Sequence, residues 1–178
     1  MSREMYRKKT KDESLLQLKT EFPGYYIIPE GGAGLPGEKG AGEILNLVEK
    51  TAFTHITCAI GTATMFKGIL KLIDPQQQLI GIPVLKGLEK VSTQKNYNII
   101  YDYHFGGYAK YTNDLLVFMN DFYKKTSIPT DFVYTAKLCY AIFDLIEKNN
   151  FPENSNILII HSGGLQGNQS LPKGTLIF

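Results

Sequence analysis

The chain contains no apolar run approaching the ~20 residues that a membrane-crossing helix needs. Its opening stretch, MSREMYRKKTKDESL, also lacks the apolar segment of a secretory signal. No membrane association is expected. Cysteine is scarce: Cys58 and Cys139 both stand among apolar neighbours. That placement suits small buried thiols in a reducing compartment better than a disulfide framework, and predicts a cytoplasmic protein. The three histidines, His55, His104 and His161, have no metal-ligand spacing among themselves or with the cysteines, so a metal site is not indicated. Nor does charge of one sign dominate. Nineteen basic residues face seventeen acidic ones, for a net charge of +2, and this balance argues against the concentrated positive field that nucleic-acid binding requires. The local cluster Arg3, Arg7, Lys8, Lys9 and Lys11 is interrupted by Glu4, Asp12 and Glu13, and reads as a solvated helix face.

What the sequence does hold is enough for one sizeable domain: 178 residues, 43% hydrophobic and 20% charged. Short apolar runs alternate with longer amphipathic ones, the pattern of strand and helix in an α/β sheet. Strands are expected at YYIIP (25–29), FTHITCAI (53–60), QLIGIPVL (78–85), NYNIIYDY (96–103) and NILII (156–160). Helices are expected over 37–50, with Ile44, Leu45 and Val48 on one face, and over 62–73, where Asp74-Pro75 stops the run. Two more follow at 113–125 and 132–149. Strands this apolar are buried on both sides, which predicts a mainly parallel sheet with helices on both faces. The first two dozen residues are polar, helix-prone and expected to pack loosely.

Four loops, three of them glycine-rich, follow strands or open helices. Gly61, Thr62, Ala63 and Thr64 stand between an apolar strand and a helix, where backbone amides and two hydroxyls form a reasonable anion cradle. The segment matches neither a dinucleotide fingerprint nor a P-loop, and an ordinary threonine-capped turn is the local alternative. In DFVYTAKL, Asp131 reads as a helix cap and Tyr134 as a core residue. PEGGAGLPGEKG (29–40) and HSGGLQG (161–167) complete the set. Loops at the carboxyl ends of parallel strands share one edge of the sheet, so a single pocket is expected.

Taken in order, YIIPEGG, the strand–Gly–Thr–helix segment, LIGIPVLKG, GGYAKYT, VYTAKL and IIHSGGLQG resemble the 1-aminocyclopropane-1-carboxylate deaminase and D-cysteine desulfhydrase family. These are pyridoxal-phosphate enzymes of the tryptophan-synthase-β-like fold. The resemblance runs from about Arg3 to Gly167. It implies that Gly61, Thr62, Ala63, Thr64, Thr135 and Ser162 bind the cofactor, with the loop at 61–64 on its phosphate and Ser162 at the pyridine nitrogen. It also implies that Tyr134 is catalytic, beside cofactor and substrate. Two departures stand out. Ala63 replaces the usual glycine or serine. The deaminases proper carry glutamate after the tyrosine and leucine before the two glycines, where this chain has Thr135 and Ser162. A neutral hydroxyl at the pyridine nitrogen weakens the electron sink, which favours elimination over ring opening.

The family's cofactor-bearing lysine lies in an amino-terminal portion with no counterpart in this sequence. Lys67 and Lys137 read as surface or pocket-rim cations. The resemblance thus implies the carboxyl-terminal part of a deaminase- or desulfhydrase-like enzyme acting on a small amino acid, inactive alone. Residues 1–22 would be the remnant of a linking segment and residues 23–178 a partial cofactor domain, with homo-oligomers as the expected assembly. The alternative is a non-catalytic module that binds a small phosphorylated metabolite. A further reading is a structural subunit whose partner chain supplies the missing segment.

Overall fold

The computed structural model describes residues 3–87 and 95–178, with the side chains of Arg3 and Glu4 outside the described part. The strands are β1 (His55–Ile60), β2 (Gln78–Pro83), β3 (Tyr97–Ile99) and β4 (Ile157–Ile159). Among the described residues they form one sheet in the order β3-β2-β1-β4, with every pairing parallel. β1 is the hub. It runs beside β2 from His55↔Gln78 to Ile60↔Pro83, and beside β4 from His55↔Ile157 to Thr57↔Ile159.

Both sides of the sheet are covered, as the apolar strands require. The helices are α1 (Arg3–Arg7), α2 (Asp12–Glu21), α3 (Leu35–Gly42), α4 (Thr64–Leu70), α5 (Asn113–Thr126) and α6 (Thr135–Glu147). Alternate residues of β1 point to opposite faces. Ile56, Cys58 and Ile60 pack with Phe66 and Ile69 of α4 and with Leu45, while Ala59 packs with Leu138, Ala141, Ile142 and Leu145 of α6. Complete burial of Ile56, Ile69, Leu79 and Ile142 contributes about 1.5–3 kcal/mol for each side chain. A third cluster joins Leu115 and Met119 of α5 to Phe132, Ala136 and Leu171. No helix among the described residues is long and apolar enough to cross a membrane.

Helix α3 lies against α4 through glycines. A Cβ on Gly68 would stand 2.1 Å from the Glu38 carbonyl, and one on Gly42 would stand 2.8 Å from the Gly68 carbonyl. Only residues without side chains allow this approach, which brings the loop before α3 over the carboxyl end of β1.

Three expectations need correction. Residues 25–29 form no strand: Tyr25, Tyr26 and Ile28 are exposed and the segment is extended but unpaired. Aromatic and β-branched composition favours a pleated conformation, but a strand also needs a neighbour to bond. The helix expected over 37–50 is split into α3 and a 3-10 turn over Glu43–Leu47, in a stretch weakened by Gly37, Gly40 and Gly42. Leu45 is buried as expected, whereas Val48 is exposed. The helix expected over 62–73 is the seven-residue α4, which begins only after Ala63 turns through φ 64°.

Candidate functional site

From β1 the chain moves outward to β2 and β3, then returns to the opposite side of β1 for β4. Loops leaving neighbouring strands at such a switch point diverge and open a crevice at the carboxyl ends. A cavity of about 710 Å³ lies there, within the usual range for a small-molecule site. Gly61, Thr62, Ala63 and Thr64 line it from the end of β1, and Ser162 from the end of β4. Tyr134 enters from the start of α6, Tyr108 from the glycine loop before α5, and Glu30, Gly31 and Gly32 from the loop before α3. Tyr6 of α1 completes the wall. The four loops singled out in the sequence therefore converge.

Glycines set the closeness of this convergence. A Cβ on Gly31 would stand 2.2 Å from the Thr62 hydroxyl oxygen, and one on Gly61 would stand 3.1 Å from Cε1 of Tyr134. The hydroxyls of Thr62 and Thr64 are 3.0 Å apart, with Thr64 buried and Thr62 exposed. Ala63 between them is left-handed, a conformation that costs a residue with a Cβ about 1–2 kcal/mol.

Tyr134 is held by the cap of α6. The buried Asp131 carboxylate accepts from the backbone N–H of Tyr134 at 2.8 Å, of Val133 at 3.1 Å and of Thr135 at 3.3 Å, so Asp131 caps the turn that leads into α6, while the N-cap position itself is held by Tyr134. Thr135, expected at the cofactor, does not line the cavity. It is 1% exposed, and its hydroxyl accepts from the Asp131 N–H; the helical turn that brings Tyr134 to the cavity points the next residue inward. The carboxyl-terminal loop is tied to the same cap. Asn168 accepts from the Phe132 N–H and donates to the Thr130 carbonyl. The Gly163 N–H donates to Nδ1 of His161, whose Nε2 lies 2.9 Å from the Pro129 carbonyl. Ser162 is carried between those contacts.

The Glu30 carboxylate would repel an anion, but it is engaged. Lys9 lies 2.5 Å away, and the Tyr6 hydroxyl also donates to Glu30. The Lys9 hydrogen bond, then that of Tyr6, hold the Glu30 carboxyl below its usual range. Burial, with Tyr108 nearby, pushes the Tyr134 phenol above its ordinary value, so it is a neutral donor at physiological pH. Lys67 is exposed, as expected. Lys137 is not a rim cation: it is fully buried and donates to the carbonyls of His104 and Gly107. The sequence does not mark Tyr6, Glu30 or Tyr108 as site residues: Tyr108 and Glu30 stand inside GGYAKYT and YIIPEGG, whereas nothing local marks Tyr6.

An open parallel sheet, covered on both faces and carrying its cavity at the switch point, makes this an α/β protein, and its tryptophan-synthase-β-like class rests on the likeness to a solved structure. A solved structure described as an ACC deaminase homologue superposes with a TM-score of 0.72 and 26% identity, over 94% of this chain and 58% of that one. No protein-family model matches the chain. A putative 1-aminocyclopropane-1-carboxylate deaminase of Pyrococcus abyssi is 30% identical over 89% of this chain and 56% of its own length. A D-cysteine desulfhydrase of Klebsiella pneumoniae is 28% identical over 84% of this chain and 54% of its own. Over most of its length the chain is thus a relative of the 1-aminocyclopropane-1-carboxylate deaminase and D-cysteine desulfhydrase proteins. It spans about half the length of the curated relatives it matches.

Proposed function

We propose that this chain provides the pyridoxal-phosphate-binding wall of a deaminase- or desulfhydrase-like enzyme that acts on a small amino acid by elimination. The observation that carries this reading is the meeting of Gly61–Thr64, Tyr134 and Ser162 around one cavity, in a chain related to proteins of those names. The residues present fit the cofactor. The glycine backbones at 31 and 61 let Thr62 and Tyr134 pack close at the cavity wall, the threonine pair offers hydroxyls beside the amides of 61–64, and Glu30 is neutralised by Lys9.

When bound, pyridoxal phosphate supplies an electron sink for charge developing at the substrate's α-carbon. The chain's own residues bind, orient and donate. In this reading Thr62, Thr64 and the amides of 61–64 hold the phosphate, and the Ser162 hydroxyl faces the pyridine nitrogen without placing a full charge there. Tyr134, kept protonated by burial, contacts the substrate and holds or delivers a proton at its phenol oxygen. No residue lining the cavity among the described residues is a lysine, and in this reading those residues hold the cofactor without a covalent bond.

Titration with inorganic phosphate and with pyridoxal 5'-phosphate tests the map. Thr62→Ala with Thr64→Ala weakens both ligands, by about 1–3 kcal/mol for each hydrogen bond lost to a charged acceptor. Ser162→Ala weakens pyridoxal phosphate and leaves free phosphate nearly untouched. Borohydride followed by peptide mass analysis finds no pyridoxyl-lysine. An equal loss of phosphate affinity in Ser162→Ala, or a stoichiometric pyridoxyl group, defeats the reading.

A further inference from the structure

Lys137 lies on α6 three residues beyond Tyr134 and is 0% exposed. A buried ammonium is unfavourable unless its donors are satisfied. Its Nζ donates to the carbonyl of His104 at 2.9 Å and to that of Gly107 at 2.7 Å. Both acceptors belong to the loop HFGGYAK.

That loop holds two side-chain-bearing residues in an unfavourable conformation. Phe105, Gly106, Gly107 and Ala109 have φ of 52°, 93°, 117° and 51°, so two residues with side chains stand in the left-handed region. Gly107 lies close against the chain beyond β2, where a Cβ would stand 3.2 Å from Cβ of Lys86. The next residue, Tyr108, lines the cavity and meets Tyr134 edge to face, with ring centroids 6.3 Å apart. The same helix therefore carries one of these tyrosines directly and reaches the other through Lys137.

We propose that Lys137 is a positioning residue: its two hydrogen bonds fasten the 104–109 loop to α6 and so fix Tyr108 against Tyr134 across the cavity. It touches no ligand itself. The ligand-binding arm of the test rests on the function proposed above; the loop arm does not.

The loop arm is amide hydrogen exchange of wild type and Lys137→Met. The N–H groups of Gly107 and Lys110 donate within the loop and are expected to exchange about tenfold faster in the variant, while α5 and β1 keep their protection. Unchanged exchange in the loop overturns the proposal. If Lys137→Met does not fold, Lys137→Gln, which keeps a donor, takes its place. If neither folds, nuclear Overhauser contacts between the Lys137 ammonium and residues 104–107 of the wild type decide, and their absence overturns it. The ligand arm compares pyridoxal 5'-phosphate affinity in Lys137→Met, Tyr108→Ala and the double variant. Each single change is expected to weaken binding about tenfold and the double change by little more, because both remove the same contact. Losses that multiply overturn the proposal. A wild-type protein that binds no pyridoxal phosphate defeats the proposed function and leaves the exchange experiment to decide the role of Lys137.

Discussion

Replacing Lys137 by methionine should change how stability depends on pH. Burial pulls the Lys137 ammonium down from 10.5 to about 8, against a smaller opposing effect of Asp131. Between those values the unfolded chain holds this proton more tightly than the folded protein does. Stability from this group therefore rises with pH across that window and is flat below about pH 8. A span of about 2.5 pH units, at about 1.4 kcal/mol each, amounts to roughly 3 kcal/mol over the whole window. From about pH 7 to about pH 9.5 the gain is roughly 2 kcal/mol. Methionine has similar length and no charge, so the variant lacks this contribution while every other titrating group stays common to both proteins. It also takes one donor from each of the His104 and Gly107 carbonyls, which keep the backbone N–H groups of Gly107 and Lys110, a penalty of about 1–3 kcal/mol that does not vary with pH. Urea denaturation of both proteins at the two pH values isolates the difference. Wild type should gain about 2 kcal/mol relative to the variant on going to the higher pH. Parallel changes in the two proteins would refute a depressed, buried ammonium at this position.

Other substitutions probe the neighbouring structure. Ala63→Gly relieves a left-handed alanine, and after allowing for the greater freedom of glycine in the unfolded chain it should stabilise the protein by about 0.5–1 kcal/mol in thermal melting. Asp131→Ala removes one carboxylate that satisfies three N–H groups at the start of α6. It should destabilise by roughly 2–3 kcal/mol in the same assay. Leu16, Tyr25, Tyr26, Ile28, Leu35 and Leu47 are exposed apolar side chains in the amino-terminal third of the chain. Self-association is the expected outcome, visible as concentration-dependent mass in sedimentation equilibrium; a monomer at all concentrations would contradict it.

How far the site was legible depends on whether its signals are local. The strands at 53–60, 78–85 and 156–160 are short apolar runs bounded by glycine or proline, and pattern alone finds them. The convergence of their loops then follows from parallel topology. Asp131 was legible as a cap because capping is decided within four residues. Lys137 was not: in TAKLCYAIF it reads as an ordinary helix lysine, and only carbonyls thirty residues away make its burial tolerable. Tyr6 reaches the cavity through Glu30, twenty-four residues along the chain, which no periodicity encodes. Thr135 failed for the opposite reason. A motif places it beside Tyr134, but neighbouring residues on a helix project about 100° apart, so one faces the cavity and the other the cap.

The central claim is that the crevice between β1 and β4 binds pyridoxal phosphate through Gly61–Thr64 and Ser162. Backbone amide chemical shifts recorded during titration with pyridoxal 5'-phosphate test it most directly. The account predicts saturable shifts at Gly31, Gly61, Thr62, Ala63, Thr64, Ser162 and Gly163, with inorganic phosphate reproducing those at 61–64 and not those at 162–163. Shifts confined to the amino-terminal helices, or none at the ends of β1 and β4, would contradict it.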